Sequence, residues 1–434
     1  MQQTTIDRKD EKIKALLIGI CLPDQDMAAR EASIQELERL ADTAGMATVG
    51  KRIQRREKKS PRTYAGEGFI EKCLEEAGEE GVDILIFDND LTGSQARNIE
   101  RMFSIEAIDR TEAILRIFHD HAKTKEARLQ VRLAELKYEL PRLRSMWTHL
   151  DRERFGSRAG AGVAFRGMGE KQSEKDRQRL QREIYDIEKA IDRIIRRIDT
   201  QRKRRERDCR NIGLVGYTNA GKSTLFNRLT HAHVLVEDRL FATLDSTARS
   251  LSPRSLNHGT LRNVVISDTV GFISNLPHHL IASFRATLRE AENADLLLNV
   301  IDISDDHFES HMEEVDRVLR EIGAGDIPQL LVFNKMDRAD TAVMQRVRRN
   351  YPEAVLISAS RGDRIENLLT EIHGRLNAPR QYRLSIPQSE QRAIHYAHSR
   401  GRILKTAYDG NLVKLTVEMG SREIRQLEAY VEEG

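Results

Sequence analysis

The chain is short of the residues that cross-link or anchor a protein. Its 434 residues hold three cysteines, Cys21, Cys73 and Cys209, far apart and without a CxxC pair. That spacing argues against a disulfide framework and against a zinc site. No stretch approaches the roughly 18 apolar residues of a membrane span. The opening MQQTTIDRKDEK has no apolar core of signal-peptide type. A cytoplasmic protein with no membrane span is therefore expected. Aromatics are scarce at 5%, with one tryptophan, Trp147, while charged residues reach 32%. That balance suits long solvated helices attached to compact domains. A net charge of +3 favours no class of partner by itself, and a chain this long should hold two to four domains.

Four segments are legible. In residues 1–109, ALLIGICL, GMATVGKRI and VDILIFDND read as strands separated by helical patterns, the alternation of a small α/β domain with a parallel sheet. Residues 110–210 change character. Leu129, Leu133, Leu136, Leu140 and Leu143 recur at helical spacing, as do Ile184, Ile187, Ile191, Ile194 and Ile198. Neither stripe can bury itself alone, so the two should pair as an antiparallel hairpin, with Pro141 kinking or ending the first helix. Between them lies a tip with five glycines and the basic residues Arg152, Arg154, Arg158, Arg166 and Lys171. Residues 119–210 carry 26 Lys/Arg against 16 Asp/Glu, a surplus of ten that leaves the rest of the chain at −7. Such an arm is a candidate nucleic-acid probe. It would also serve as a solvated coiled-coil face, and charge alone leaves both readings open. Residues 211–377 again alternate strands and helices. Residues 378–434 read as a small α/β appendage around LVKLTVEM.

The chemistry lies in the third segment. Gly216, Tyr217, Thr218, Asn219, Ala220, Gly221, Lys222 and Ser223 match GxxxxGK[ST] between an apolar strand and the helical STLFNRLT beginning with Thr224. In that context the loop's N–H groups close around phosphates, Lys222 neutralises them, and the Ser223 hydroxyl binds Mg²⁺. Asp268, Thr269, Val270 and Gly271 fit DxxG, with Asp268 reaching Mg²⁺ through water and the Gly271 N–H sensing a γ-phosphate. Asn334, Lys335, Met336 and Asp337 spell NKxD. A carboxylate there accepts two hydrogen bonds from guanine where adenine offers no equivalent pair, which selects GTP over ATP. Ser358, Ala359 and Ser360 end the next strand, where a backbone N–H reaches the guanine O6. Phe241, Ala242, Thr243, Leu244 and Asp245 lie between the first two motifs, and Thr243 is the natural switch threonine for Mg²⁺ and the γ-phosphate. Lys222, Thr243, Gly271 and Asn219 are the candidate catalytic residues.

The flanks refine this reading. FATLDSTAR and DTVGFI resemble the switch regions of the Obg–HflX branch of translation-factor-related P-loop GTPases. KEARLQVRLAELKYELPRL, RGMGEKQSEKDRQRL and TYAGEGFIEKC resemble the arm, tip and first domain of the HflX family, so nearly the whole chain is covered. GVAFRGMGEKQSEKD departs from that family's glycine- and threonine-rich tip. The resemblance implies an α/β fold in which a small α/β domain and a long helical hairpin precede the P-loop GTPase domain and a small α/β domain follows it. It also implies a monomer that binds GTP, GDP and the large ribosomal subunit, and that splits stalled or idle ribosomes. The arm would contact rRNA near the peptidyl-transferase region, by phosphate contacts that weaken with salt. Asn219 resembles the asparagine that coordinates an activating K⁺ in related GTPases. Many relatives place a water-orienting glutamine just after DxxG; here the residue is Phe272, so slow intrinsic turnover is expected. A non-ribosomal RNA target, and protection of ribosomes from antibiotics, are the alternatives.

Overall fold

The computed structural model describes residues 12–78, 81–155, 166–205, 209–232, 240–241, 247–251, 264–269, 271–274, 290–377, 380–420 and 423–432, with Pro277, Leu280 and Ser283. Of residues 143–155, 166–173, 198–205, 377, 380 and 425 it describes the backbone alone.

Apolar runs become buried parallel strands. β1 (Ile13–Cys21) pairs with β2 (Met46–Arg55) on one side and β3 (Ile84–Phe87) on the other, and β4 (Glu106–Asp109) pairs with β3, all parallel, in the order β2-β1-β3-β4. Alternate β1 residues serve opposite cores. Ala15 and Leu17 join Leu37 and Leu40 of α1 (Met27–Thr43). Leu16, Ile18 and Ile20 join Ile70 of α2 (Glu67–Ala77) and Ile99 of α3 (Gly93–Phe103). Burial on both faces is why β1 reads as a continuous apolar run and not an alternating one. A capping box, with Thr92 and Gln95 exchanging hydrogen bonds, starts α3. Helix α4 (Arg110–His121) packs its Ala113, Ile114, Ile117 and Phe118 into the first of these cores, so the N-terminal packing continues past residue 109.

The arm is α5 (Lys125–Phe155) and α6 (Arg166–Arg205). Leu133 and Leu136 meet Ile187 and Ile191, flanked by Leu129 and Ile184, and Arg132–Glu183 and Lys137–Glu188 ion pairs edge the seam. Helix α5 does not end at Pro141 but runs through it. The missing N–H costs one helical hydrogen bond. The residues on either side are held tightly: Tyr138 donates to Asp109 (2.8 Å), and the Arg142 guanidinium bonds Asp109 and the Leu91 carbonyl. These anchors carry the helix across the break.

The second sheet has six strands: β5 (Arg210–Gly216), β6 (Thr247–Ser250), β7 (Val264–Asp268), β8 (Leu296–Asp302), β9 (Gln329–Asn334) and β10 (Val355–Leu356), in the order β10-β9-β8-β5-β7-β6. All pairs are parallel except β6 with β7. Among the described residues, helices α7 (Lys222–Thr230), α8 (Phe308–Glu321), α9 (Thr341–Asn350) and α10 (Ile365–Asn377) belong to the same unit. The chain leaves β5 towards β7 and later returns to β8 on the other side, which makes the carboxyl end of β5 the switch point where such sheets bind ligands. A three-stranded antiparallel sheet follows, β11 (Arg380–Pro387), β13 (Leu412–Met419) and β12 (Arg402–Asp409), with α11 (Gln391–Arg400) and a 3₁₀ turn at Ile424–Tyr430. The first two sheets share one core. Phe118 of α4 meets Phe241 edge-on at 4.7 Å, and Tyr217, Phe272 and Val318 lie in the same cluster as Leu37 and Leu40. Among the described residues, no helix is long and apolar enough to cross a membrane.

Candidate nucleotide site

The loop after β5 turns sharply and feeds α7. Asn219 adopts a left-handed φ of 59° and Gly221 one of 90°. A side chain at Gly221 would strike the Asn334 amide at 2.3 Å, so only glycine lets the loop close against the β9 end. Lys222, the first residue of α7, is buried, and its Nζ donates to the carbonyls of Gly216 (3.1 Å) and Tyr217 (2.7 Å). Burial pushes its ammonium down to about 8, against the pull of Asp268. An ammonium held this way gains by meeting phosphate.

Ser223 Oγ donates to Asp268 Oδ2 at 2.8 Å. Asp268 is 1% exposed and its Oδ1 has no partner among the described residues. Burial drives this carboxyl above the usual range, while Lys222 and Ser223 pull it back. An orphaned buried carboxylate oxygen beside a hydroxyl fits Mg²⁺, which takes few protein ligands and fills its shell with water and phosphate. No cluster of three or more His, Cys, Asp or Glu suited to a metal occurs among the described residues. Gly271 packs directly on the loop: a Cβ there would meet Thr218 Cγ2 at 2.8 Å and Lys222 Nζ at 3.0 Å.

The NKxD segment ends β9. Asn334 is 2% exposed and acts as a strut. Its Nδ2 donates to the Ala220 carbonyl and its Oδ1 accepts from the Ala359 N–H, both at 2.9 Å. One side chain thereby joins the phosphate loop to the Ser358–Ser360 loop. Lys335, at a left-handed φ of 60°, pairs with Asp302 at 2.7 Å. Met336 packs beside Phe308 and Phe333. Asp337 keeps Oδ1 unpartnered among the described residues, and a hydrogen bond from Ser358 holds its carboxyl below the usual range. It presents a stable carboxylate to a donor pair such as the guanine N1–H and N2–H.

The structure brings Gly216–Thr224, Asp268, Gly271, Asn334–Asp337 and Ser358–Ser360 to one end of one sheet. Thr269 is turned inward, its hydroxyl bonded to the Leu214 carbonyl at 2.6 Å. The side chain of Tyr217 points away, to the N-terminal domain, and Phe241 packs on Phe118. Ala242, Thr243, Leu244, Asp245 and Val270 lie outside the described residues, as does Arg158. So do the side chains of Arg152, Arg154, Arg166 and Lys171. Sequence reasoning missed Arg228, which donates to the carbonyls of Ala359 (3.1 Å) and Ser360 (2.5 Å), and Asp302. No motif marks either; their partners lie far along the chain.

A phosphate-loop motif at the switch point, with the NKxD carboxylate at the same end of the sheet, is the arrangement of a P-loop GTPase, which hydrolyses GTP to GDP and phosphate. Comparison with known proteins narrows the class. Residues 31–119 match the family described as "GTP-binding GTPase N-terminal", 121–205 "GTP-binding GTPase Middle Region" and 211–335 "50S ribosome-binding GTPase". The GTPase HflX of Gluconacetobacter diazotrophicus is 38% identical over 92% of this chain and 94% of that protein. The GTPase HflX of Escherichia coli K12 is 39% identical over 89% and 88%. A GTP-binding protein of Sulfolobus solfataricus, solved in complex with GDP, aligns over 84% of this chain and 98% of that chain with 24% identity and a TM-score of 0.43. The chain belongs to the HflX family of GTPases.

Proposed function

We propose that this GTPase works on the ribosome, binding the large subunit and using GTP binding and hydrolysis to split stalled or idle ribosomes. The supporting observation is one of composition and architecture together. A GTPase sheet is joined, through a shared core, to a two-helix arm whose segment carries a surplus of ten positive charges. Arg152, Arg154, Arg158, Arg166 and Lys171 contact rRNA near the peptidyl-transferase region, chiefly at phosphates.

In the nucleotide site, Gly216–Thr224 cradle the phosphates and Lys222 neutralises their β and γ oxygens. Ser223 and Thr243 would ligate Mg²⁺, and Asp268 would hold it through water. When bound, Mg²⁺ neutralises charge on the β- and γ-phosphates. Phe241–Asp245 form the switch segment, Gly271 senses the γ-phosphate, and Asn334–Asp337 with Ser358–Ser360 read guanine. Water attacks in line on the γ-phosphorus as the bond to the bridging oxygen breaks, and the water's proton passes to phosphate. The Phe272 ring, 1% exposed, can neither donate nor accept a hydrogen bond to that water. Turnover is therefore slow until the ribosome supplies the missing order. Asn219 would coordinate an activating K⁺; equal rates in K⁺ and Na⁺ would remove that role. The protein is a cytoplasmic monomer.

The test is to add purified large ribosomal subunits and measure GTP hydrolysis, with co-sedimentation in a non-hydrolysable GTP analogue. Stimulation of at least tenfold and salt-sensitive binding are expected. Unchanged turnover and no binding at moderate salt would reject the ribosome as target. Equal binding to an unrelated structured RNA would favour a non-ribosomal one.

A further inference from the structure

We propose that Glu36 of the N-terminal domain and Tyr217 of the phosphate loop are positioning residues that hold the segment after Gly271 in a state favouring GDP over GTP. The Tyr217 hydroxyl is the hub. It donates to Glu36 Oε1, accepts from the Ser274 N–H at 2.6 Å, and lies 2.6 Å from Ser274 Oγ. The ring is 8% exposed and stacks on His311 of α8 at 3.8 Å, with 12° between the planes.

Glu36 is itself immobilised. Its other oxygen takes the Arg110 guanidinium, which also holds Asp88 at 2.9 Å, and Asp88 in turn holds Arg30 at 2.6 Å. The carboxyl end of the first sheet therefore fixes a carboxylate that grips the phosphate loop of the second. Ser274 lies three residues beyond Gly271, and Phe272 between them is zipped to the loop as well. The Thr218 N–H donates to the Phe272 carbonyl at 2.7 Å, and the Phe272 N–H donates to the Gly216 carbonyl at 3.1 Å. Gly271 packs against Thr218 and Lys222, the residues beside which a γ-phosphate must be inserted.

Seating a γ-phosphate thus requires residues 271–274 to lift from the loop. Ser274 must then leave Tyr217 or drag it from Glu36. GDP, lacking the third phosphoryl group, leaves these contacts intact. Linkage makes the effect reciprocal: the docked N-terminal domain weakens GTP relative to GDP, and GTP loosens the domain by the same factor.

The measurement is the affinity of a non-hydrolysable GTP analogue and of GDP, in the full chain, for Tyr217→Phe and Glu36→Gln. Tyr217→Phe keeps the stacked ring and loses the hub; Glu36→Gln loses the charge that Arg110 grips. Each should raise the ratio of GTP-analogue to GDP affinity by about 5- to 50-fold, with the KM for GTP falling more than kcat changes. A second readout is amide exchange in α1 of the parent protein, which should quicken with the GTP analogue and not with GDP. That response should be lost in Tyr217→Phe. Thermal melts and GDP binding establish that the variants fold. A ratio that is unchanged or lowered in both folded variants, or α1 exchange indifferent to the third phosphate, would overturn the proposal.

Discussion

The two parallel sheets of this protein present polar residues at the same place, the carboxyl ends of their strands, and treat them in opposite ways. In the N-terminal sheet those groups answer one another. Asp88 takes Arg30 and Arg110. Asp109, fully buried, accepts from Leu91 N–H, Glu112 N–H, Tyr138 and Arg142. In the second sheet, Asp268 Oδ1, Asp337 Oδ1 and the Thr218 hydroxyl have no partners among the described residues. A buried polar atom left unpaired costs free energy unless something later satisfies it. One architecture thus yields carboxylates answered within their own domain and, in the second sheet, carboxylate oxygens that the proposed nucleotide and cation would satisfy. Asp88 and Asp109 take their arginines at short range, whereas Asp337 has Arg361 at 3.6 Å and on its other oxygen.

The sharpest break of that comparison is Asp337→Asn. On the proposed reading the carboxylate makes two charge-assisted hydrogen bonds to guanine, worth about 3–6 kcal/mol, so GTP and GDP affinity should fall roughly 10²- to 10⁴-fold. The new amide N–H suits a carbonyl at purine C2, so xanthine nucleotides should gain affinity. Titration with both bases checks this; retained guanine preference would show that another group reads the base. Next in size is Asp109→Ala. It removes the buried acceptor shared by Leu91 N–H, Glu112 N–H, Tyr138 and Arg142 and should cost about 3–5 kcal/mol of N-terminal stability. Amide exchange in β3, β4 and α4 measures it. GDP affinity should stay within a few-fold of the parent, and a collapse of GDP binding in a folded variant would deny that these strand ends are scaffold.

The sequence exposes these two roles unequally. Gly221, Lys222, Asp268 and Asp337 sit at the spacings of GxxxxGK[ST], DxxG and NKxD, so their motifs are visible without a structure. The apolar strands β1, β5, β8 and β9 are equally plain, because burial on both faces leaves uninterrupted aliphatic runs. Asp88, Asp109 and Arg110 carry no such signature. Most of their side-chain partners lie on α1, α4 and α5, at separations only the fold sets. Phe272 was legible as an absent glutamine, yet its seat in the core between two domains was not. Pro141 read as a break because its neighbours' anchors on Asp109 and Leu91 are tertiary.

Arg228 tests the boundary between the two behaviours, since it is a scaffold-type contact inside the ligand-binding sheet. It leaves α7 to grip the carbonyls of Ala359 and Ser360, holding the loop on which Asn334 also pulls through the Ala359 N–H. The loop has its own support as well: Gly362 and Asp363 N–H groups both donate to the Ser358 carbonyl, at 2.7 and 3.1 Å. With that turn intact, Arg228→Ala removes two partly exposed charge-assisted bonds and should cost about 1–2 kcal/mol. GDP and GTP should weaken together, by roughly 5- to 30-fold, because the contact lies on the guanine side and ignores the third phosphate. Equal loss for both nucleotides by calorimetric titration marks Arg228 as scaffold for the base. A loss confined to GTP would place it instead with the residues that answer the γ-phosphate, and unchanged affinity would mean the Ser358 turn holds the loop unaided.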